Sequence, residues 1–379
     1  MKICLVLHKY AVPLDDPCCY PLGFMYVSAM LKRMGHEVKV LNYNLFDYDL
    51  EKEIKGQDLV GFTGFEEFFP YIVRDATICR EHGIRTILGG ALATFLPEVM
   101  LKHVDVVVSG EAENQLQYPL KDFNPGYVWA SREPPDLHSL PLPDYEGFGI
   151  DEYHLRHGYP YMGVLTTRGC PHHCTFCAQT CRFQYRPLKD VFDEIYFYYE
   201  RYGCKRIIFN DNTINVERNR FLALCRGLKE RGITWGAAIR ADIWDEEMTR
   251  GAKESGCGYV IVGVESFDQA RLDRMRKKVT VEQIVRTLDL LKAYDIVYSG
   301  NILTGFDDDT YHDVVMEVQA IPPQYNVFPV LVQPFVGTKD GNNRKLTIEE
   351  FYFLSESFRE YIEQKGKYLY PELPTGGVQ

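Results

Sequence analysis

Three of the eleven cysteines in this 379-residue chain stand in the run RGCPHHCTFC, where Cys170, Cys174 and Cys177 have the spacing CxxxCxxC. On one tight loop, three thiolates can each bind a different iron of a 4Fe–4S cluster, leaving the fourth iron open to an exogenous ligand. A cluster of that kind can take a small molecule directly into its coordination. The competing reading is a structural zinc site, for which His172, His173 and Cys181 are available fourth ligands. Zinc chemistry does not account for the aromatic Phe176 just before the third cysteine, nor for the neighbouring glycine and proline.

A framework must present these cysteines, and the surrounding pattern predicts one. The loop directly follows an expected strand at 163–167, and further strands are expected at 206–210, 234–240, 259–265, 297–305 and 326–333. Helical segments lie between them at 190–202, 217–231, 245–254, 281–293 and 310–320. Six βα repeats predict a partial (β/α)6 TIM barrel, with functional residues at the strand ends. The first 130 residues carry the same α/β rhythm, with strands expected at 2–6, 37–41, 58–62, 86–88 and 105–108. That rhythm predicts a doubly wound, Rossmann-like sheet. Its helix at 22–34 places Phe24, Val27, Met30, Leu31 and Met34 on one face, with Gly35 as the stop. Repeated prolines in SREPPDLHSLPLPDY mark an extended connector. The expected organisation is 1–130 for the first domain, 131–158 for the linker, 159–333 for the barrel and 334–379 for a short extension with a helix at 348–364.

Composition narrows the partners. A chain with 46% hydrophobic and 13% aromatic residues can bury a sizeable core. Forty-two Lys and Arg against fifty-three Asp and Glu give a net charge of -11, which opposes a phosphate backbone, so nucleic acid is not an expected partner. No run approaches the roughly 18 to 20 apolar residues of a membrane helix, and the early ICLVL run is followed by His8 and Lys9. Neither an anchor nor a signal peptide is expected, and the chain reads as cytoplasmic. Disulfides are rare in that compartment, so the cysteines point to metal or redox chemistry. Cys4, Cys79, Cys204, Cys225 and Cys257 read as small core hydrophobes, Cys18 and Cys19 as loop residues after the first strand.

In its cysteine spacing and the aromatic residue before the last cysteine, the chain resembles the radical S-adenosylmethionine superfamily. The resemblance implies that the methionine amino and carboxylate groups of S-adenosylmethionine chelate the open iron. It also implies that an electron, supplied by a donor such as ferredoxin or flavodoxin, cleaves the sulfonium to a 5′-deoxyadenosyl radical. Four more segments of the barrel carry it, beside Phe176. IIFNDNTI at 207–214 looks like the motif FxDDTF and implies a cofactor role for Asp211 and Asn212, although Asn212 replaces an acid and Ile214 an aromatic. AAIRAD at 237–242 resembles the segment whose arginine, here Arg240, pairs with the methionine carboxylate through its planar fork; Asp242 is an alternative partner. GVES at 263–266 implies a cofactor contact by Glu265, and NILTGF at 301–306 implies that Asn301 and Gly305 lie beside the nucleoside.

The N-terminal half resembles the cobalamin-binding domain that precedes the radical domain in one branch of that superfamily. The match lies in PLGFMYVSAMLKRMGHEV (21–38), GFTGF (61–65), LGGALAT (88–94) and SGEAE (109–113). It implies cobalamin contacts at Pro21, Leu22, Gly23, Thr63, Gly64, Gly89, Gly90, Gly110 and Glu111. Three of these landmarks are glycine-containing loops at expected strand ends, where doubly wound sheets bind ligands and a flat macrocycle can approach bare backbone. Ala91 and Leu92 stand where relatives commonly have Pro-His. The motif DxHxxG is absent: Asp136 and His138 lie in the linker, with Pro141 in place of the glycine, so no histidine is expected on the lower face of the cobalt.

Together the resemblances imply a cobalamin-dependent radical S-adenosylmethionine methyltransferase acting on unactivated carbon. The short segment after the barrel suggests a substrate that brings its own order, such as a peptide or protein side chain. The glutamine of methyl-coenzyme M reductase is one candidate, and a small biosynthetic intermediate is the alternative. Two other readings stay open: cyclisation or rearrangement with the same cofactors, and a non-enzymatic cobalamin-binding sensor with a structural cluster. Methylthiolation of tRNA is not expected, since there is no second cysteine triad in the N-terminal half and no basic C-terminal module.

Overall fold

The computed structural model describes residues 1–10, 20–131, 133–157, 161–229, 231–304, 306, 309, 316–317 and 319–331. Cys18, Cys19, Gly305, the expected helix at 348–364 and most of that at 310–320 lie outside the described residues.

In the N-terminal half, short apolar runs form six parallel strands: β1 (Lys2–Leu7), β2 (Glu37–Asn42), β3 (Leu59–Thr63), β4 (Arg85–Gly89), β5 (Val106–Ser109) and β6 (Tyr127–Ala130). They pair in the order β2-β1-β3-β4-β5-β6. This is the flavodoxin-type order, which places the switch point between β1 and β3 and refines the Rossmann-like expectation. Strand β6 is not anticipated by the sequence reading; it is an edge strand, only half covered, so burial imposes no clear pattern on it. Helices α1 (Leu22–Arg33), α2 (Leu50–Glu53), α3 (Phe69–Glu81), α4 (Gly90–Phe95), α5 (Pro97–Met100) and α6 (Gln117–Lys121) accompany the strands. Alternation along β1 serves both faces of the sheet. Ile3, Leu5 and Leu7 join the core that contains Phe24, Met25 and Leu31 of α1, whereas Cys4 and Val6 join Ile72, Ala76 and Cys79 of α3.

The stretch read as an extended connector, 131–145, is irregular and turn-rich, and the expected linker runs on past it to 158. Its second part folds into α7 (Ile150–His157), and Tyr145, Phe148, Ile150 and Tyr153 are buried in a core shared by both halves of the chain. The Tyr145 hydroxyl donates to the Gly163 carbonyl at 2.6 Å and accepts from the Gly163 amide at 2.9 Å. Asn42 donates to the Phe148 carbonyl and the Tyr153 hydroxyl. The prolines, all at or before Pro143, mark the irregular first part, and the proline-free second part folds around buried aromatics. Of the expected stripe α1 buries Phe24 and Leu31, half-buries Val27 and Met30 and leaves Met34 exposed; Met25, Tyr26 and Ser28 are covered, and Ser28 and Lys32 both bond Asp144 of the connector.

The second half forms β7 (Met162–Val164), an antiparallel ribbon of β8 (Thr167–Arg168) and β9 (Gln184–Tyr185), then β10 (Arg206–Phe209), β11 (Thr234–Ile239), β12 (Cys257–Glu265), β13 (Val297–Thr304) and β14 (Val327–Leu331). Six of these strands pair in parallel in the order β14-β13-β12-β11-β10-β7, as a partial barrel requires. Helices α8 (Leu188–Tyr202), α9 (Arg218–Lys229), α10 (Glu246–Glu254), α11 (Gln269–Arg274) and α12 (Val281–Ala293) alternate with them. Their starts and stops are local: Asp245 and Thr280 cap α10 and α12, and Gly203 ends α8 in the left-handed region. Along β12 and β13, Val260, Val262, Val264, Gly300 and Ile302 are buried, while Ile261, Gly263, Ser299 and Asn301 on the alternate face are half-exposed. Among the described residues no helix is long and apolar enough to cross a membrane.

Candidate active site at the junction of the two sheets

The cysteine loop runs between the two strands of the β8–β9 ribbon. Gly169 has φ +72° and a Cβ there would stand 2.8 Å from the Arg182 carbonyl, so the chain turns and closes on itself at this glycine. Cys170 and Cys174 are half-buried, Cys177 is exposed, and all three are free thiols. Burial, with Cys174 and Cys170 adding, pushes the Cys177 thiol up to about 11, and burial also raises Cys170. Iron must therefore displace protons when it binds. Among the described residues no three His, Cys, Asp or Glu side chains gather around one point as a single metal ion needs. Thiolates that each serve a different iron stand farther apart.

Asp211, just past β10, is buried, and its carboxylate accepts from the Thr166 amide (3.0 Å) and hydroxyl (2.8 Å) and from both the amide and hydroxyl of Thr167. This fourfold bracing fixes the strand end three residues before Cys170 and occupies both carboxylate oxygens. Burial raises its pKa against the lowering effect of those bonds. Asn212 is exposed beside it. Arg240, just past β11, is buried and does two things at once. It pairs with Asp242 at 3.1 Å, and its Nη1 donates to Cys174 Sγ at 3.8 Å. Glu265 closes β12 at a register shift and a φ of 64°, and pairs with Lys277 at 2.6 Å. Phe176 is half-buried, with the Lys277 ammonium 6.0 Å from its ring centre. Asn301 lies opposite Gly263 on the half-exposed face of β13. The sequence reading missed Lys277, whose only signal is a basic run at 274–278.

At the other sheet, the four landmark segments meet at one edge. Pro21 precedes α1, Leu22 is buried and Gly23 is exposed; Thr63 and Gly64 end β3, Gly89 and Gly90 join β4 to α4, and Gly110 and Glu111 follow β5. The loops bond one another: the Leu92 amide to the Gly64 carbonyl, the Thr94 hydroxyl to the Gly90 carbonyl, and the Gly110 amide to the Thr94 hydroxyl. A Cβ on Gly23 or Gly89 would meet nothing within 4 Å, so the backbone there borders open space. Gly90 differs, with φ +84° and a Cβ position 2.5 Å from the Thr63 hydroxyl. Gly90→Ala should therefore cost about 1–3 kcal/mol of stability by overpacking, whereas Gly89→Ala should stay within about 0.5 kcal/mol and weaken corrinoid binding. Urea unfolding and cobalamin titration of the two variants check this pair of outcomes. His8, directly after β1, was also missed. It is buried beside Tyr43, Phe62, Phe68 and Tyr71, its Nε2 3.0 Å from Asp75 and its Nδ1 without a partner.

The two sites adjoin. Arg168, two residues before Cys170, pairs through Nη1 with Glu111 at 3.1 Å and Glu113 at 2.7 Å, and its guanidinium lies 5.4 Å from the Tyr26 ring centre. Glu111, expected at the cobalamin, is thus engaged by the barrel, and burial raises its pKa despite Arg168. The residues fit both cofactors: free thiols beside a guanidinium donor for the cluster, and a glycine-lined edge with open space for a flat macrocycle.

Comparison with known proteins agrees with this geometry. The Radical SAM superfamily model matches residues 164–321 and the B12 binding domain model residues 16–118. The chain is a cobalamin-dependent radical S-adenosylmethionine enzyme, with a cobalamin-binding domain ahead of a radical domain. An uncharacterized methyltransferase of Pyrococcus horikoshii is 27% identical over 382 residues, covering 89% of this chain and 82% of the relative. The anaerobic magnesium-protoporphyrin IX monomethyl ester cyclase of Rubrivivax gelatinosus is 27% identical over 334 residues, covering 76% of this chain and 60% of that protein. Among solved structures, the radical S-adenosylmethionine methyltransferase TsrM of Kitasatospora setae, with tryptophan substrate and an S-adenosylmethionine analog bound, shares the fold. Its TM-score is 0.72 at 18% identity, over 90% of this chain and 74% of that one.

Proposed function

We propose that this cobalamin-dependent radical S-adenosylmethionine methyltransferase places its methyl group on an unactivated carbon, in a peptide or protein side chain held between the two sheets. The observation that carries the reading is the Arg168 pairing, which sets the cobalamin-edge loop at 110–113 directly against the cysteine loop. When bound, the cluster with S-adenosylmethionine supplies a hydrogen-abstracting radical, and cobalamin supplies a transferable methyl group. The chain's own residues orient and exclude. Cys170, Cys174 and Cys177 hold the cluster, Arg240, its fork taken by Asp242, sets Nη1 beside Cys174, and Asp211 holds the Thr166–Thr167 turn that carries the loop. Asn301 and the half-exposed inner face of β12 and β13 offer room for the nucleoside and the substrate. Holding two reacting groups in register is the protein's share of the rate. We place the domain limits at 1–130 and 159–333, a division that the matches at 16–118 and 164–321 support. The electron comes from a one-electron carrier of the ferredoxin or flavodoxin class, and free thiols throughout the described cysteines fit a reducing cytoplasm.

Anaerobically reconstituted protein incubated with methyl-labelled S-adenosylmethionine and a one-electron reductant should form 5′-deoxyadenosine and put label into the extracted corrinoid. Offered peptides, a glutamine-containing peptide of methyl-coenzyme M reductase among them, should receive the label on carbon. A rearranged product without label would replace this reading by a cyclase, which the likeness to the Rubrivivax gelatinosus protein favours as the second reading. Absence of 5′-deoxyadenosine would leave a cobalamin-binding sensor.

A further inference from the structure

Among the described residues, the non-glycine positions with positive φ are Glu265 (64°), Arg276 (53°), Lys278 (55°) and Asp295 (51°), and the first three meet beside the cysteine loop. Backbone strain of this kind persists where the surroundings over-determine it, and it concentrates at functional sites. Here it frames one side chain, Lys277, in the turn between α11 and α12. Lys277 is 5% exposed, and its ammonium lies 2.6 Å from Glu265 Oε1 and 6.0 Å from the Phe176 ring centre. Gly263 makes room for it, since a Cβ there would stand 2.6 Å from the ammonium. The turn and the cysteine loop are tied at two further points. Thr175 donates its amide to the Met275 carbonyl at 3.0 Å, and Arg240 bridges the Lys277 carbonyl (2.6 Å) and Cys174 Sγ (3.8 Å). Packing alone does not require the pair: apolar side chains at both Lys277 and Glu265 would fill the space without the cost of burying two ions.

We infer that Lys277 is a positioning residue for electron entry: its buried ammonium, held by Glu265 over Phe176, stabilises the negative charge that one-electron reduction adds to the cluster on Cys170, Cys174 and Cys177. The electron comes from an external one-electron donor, and no bond or proton moves. Net charge around a cluster is one of the determinants of its potential, and it acts strongly where water is excluded. Glu265 is the counterweight that keeps the cation buried and limits its effect.

This inference rests on the cluster assignment proposed above, and the experiment separates the two. Full-length protein is reconstituted anaerobically, and its reduction is titrated by EPR in the absence of S-adenosylmethionine. Lys277→Met should shift the reduction equilibrium about tenfold against the reduced state, ~59 mV for a one-electron couple, and Lys277→Arg should restore it. Glu265→Gln should shift it the other way, and the double variant Lys277→Met/Glu265→Gln should return close to the unsubstituted protein. If Lys277→Met alone does not fold, the Glu265→Gln shift and its cancellation in the double variant decide the matter. An unshifted Lys277→Met, equal-signed shifts in both single variants, or no cancellation overturns the inference while leaving the cluster in place. Absence of the EPR signal in unsubstituted protein removes the cluster assignment and this inference with it.

Discussion

Cys174→Ala should leave a folded protein that neither holds a 4Fe–4S cluster nor cleaves S-adenosylmethionine. The thiol is half-buried in a loop, and its one recorded side-chain partner is Arg240 Nη1 at 3.8 Å, so truncation removes little packing. Stability should change by no more than about 0.5 kcal/mol, as at other sites away from the core. Cleavage should fall by more than about a hundredfold, because changes even to the partners of metal ligands reach 10- to 100-fold. Cys204→Ala provides the opposite pattern. Cys204 is fully buried, and burial pushes its thiol up to about 11, which marks an inert core residue. That variant should lose stability through a small cavity and keep the cluster. Iron and sulfide content, the visible absorption of the cluster and 5′-deoxyadenosine yield distinguish the two. Retained cleavage in Cys174→Ala would falsify the cluster assignment.

The second large effect concerns Arg168. Its guanidinium and the carboxylates of Glu111 and Glu113 are all at least nine-tenths covered or nearly so, with side-chain exposures of 11%, 10% and 5%. Arg168→Met would strand two carboxylates away from water, a loss on the order of 3–5 kcal/mol for a broken buried pair. Equilibrium unfolding should show that loss, and cobalamin affinity and cleavage of S-adenosylmethionine should fall together, since the same side chain joins both loops. The triple variant Arg168→Met/Glu111→Gln/Glu113→Gln should recover most of the stability, because no ion is then left unpaired. It should not recover the coupling of cobalamin to cleavage. Recovery of both would mean that the pair is only packing.

These contrasts also mark where sequence reasoning reaches and where it stops. The cysteine triad is legible because its ligands are eight residues apart or fewer, so chemistry and spacing are read in one glance. The βα units are legible because alternation and helical periodicity are local, and β1, β2, β10 and β13 lie within a residue or two of their expected limits. Asp211 lies at the expected strand end, and its oxygens bond Thr166 and Thr167, partners that no spacing in the chain announces. The connector at 131–145 is legible from its prolines, whereas the burial of Tyr145, Phe148 and Tyr153 depends on α1, β2 and β7 arriving from elsewhere. Lys277 and Arg168 carried no signal beyond their charge.

By itself the sequence determined the two βα halves, the cysteine triad and the set of glycine loops at strand ends, because each is written in spacings of a few residues. Tertiary structure alone decided the strand order β2-β1-β3-β4-β5-β6, the union of both halves in one core, and the pairings Arg168 with Glu111 and Glu113, and Lys277 with Glu265. The physical reason is that a buried charge is tolerable only beside its counter-charge. Arg168 meets its acids across more than fifty residues, a distance over which no local pattern in the chain records which partner will be chosen.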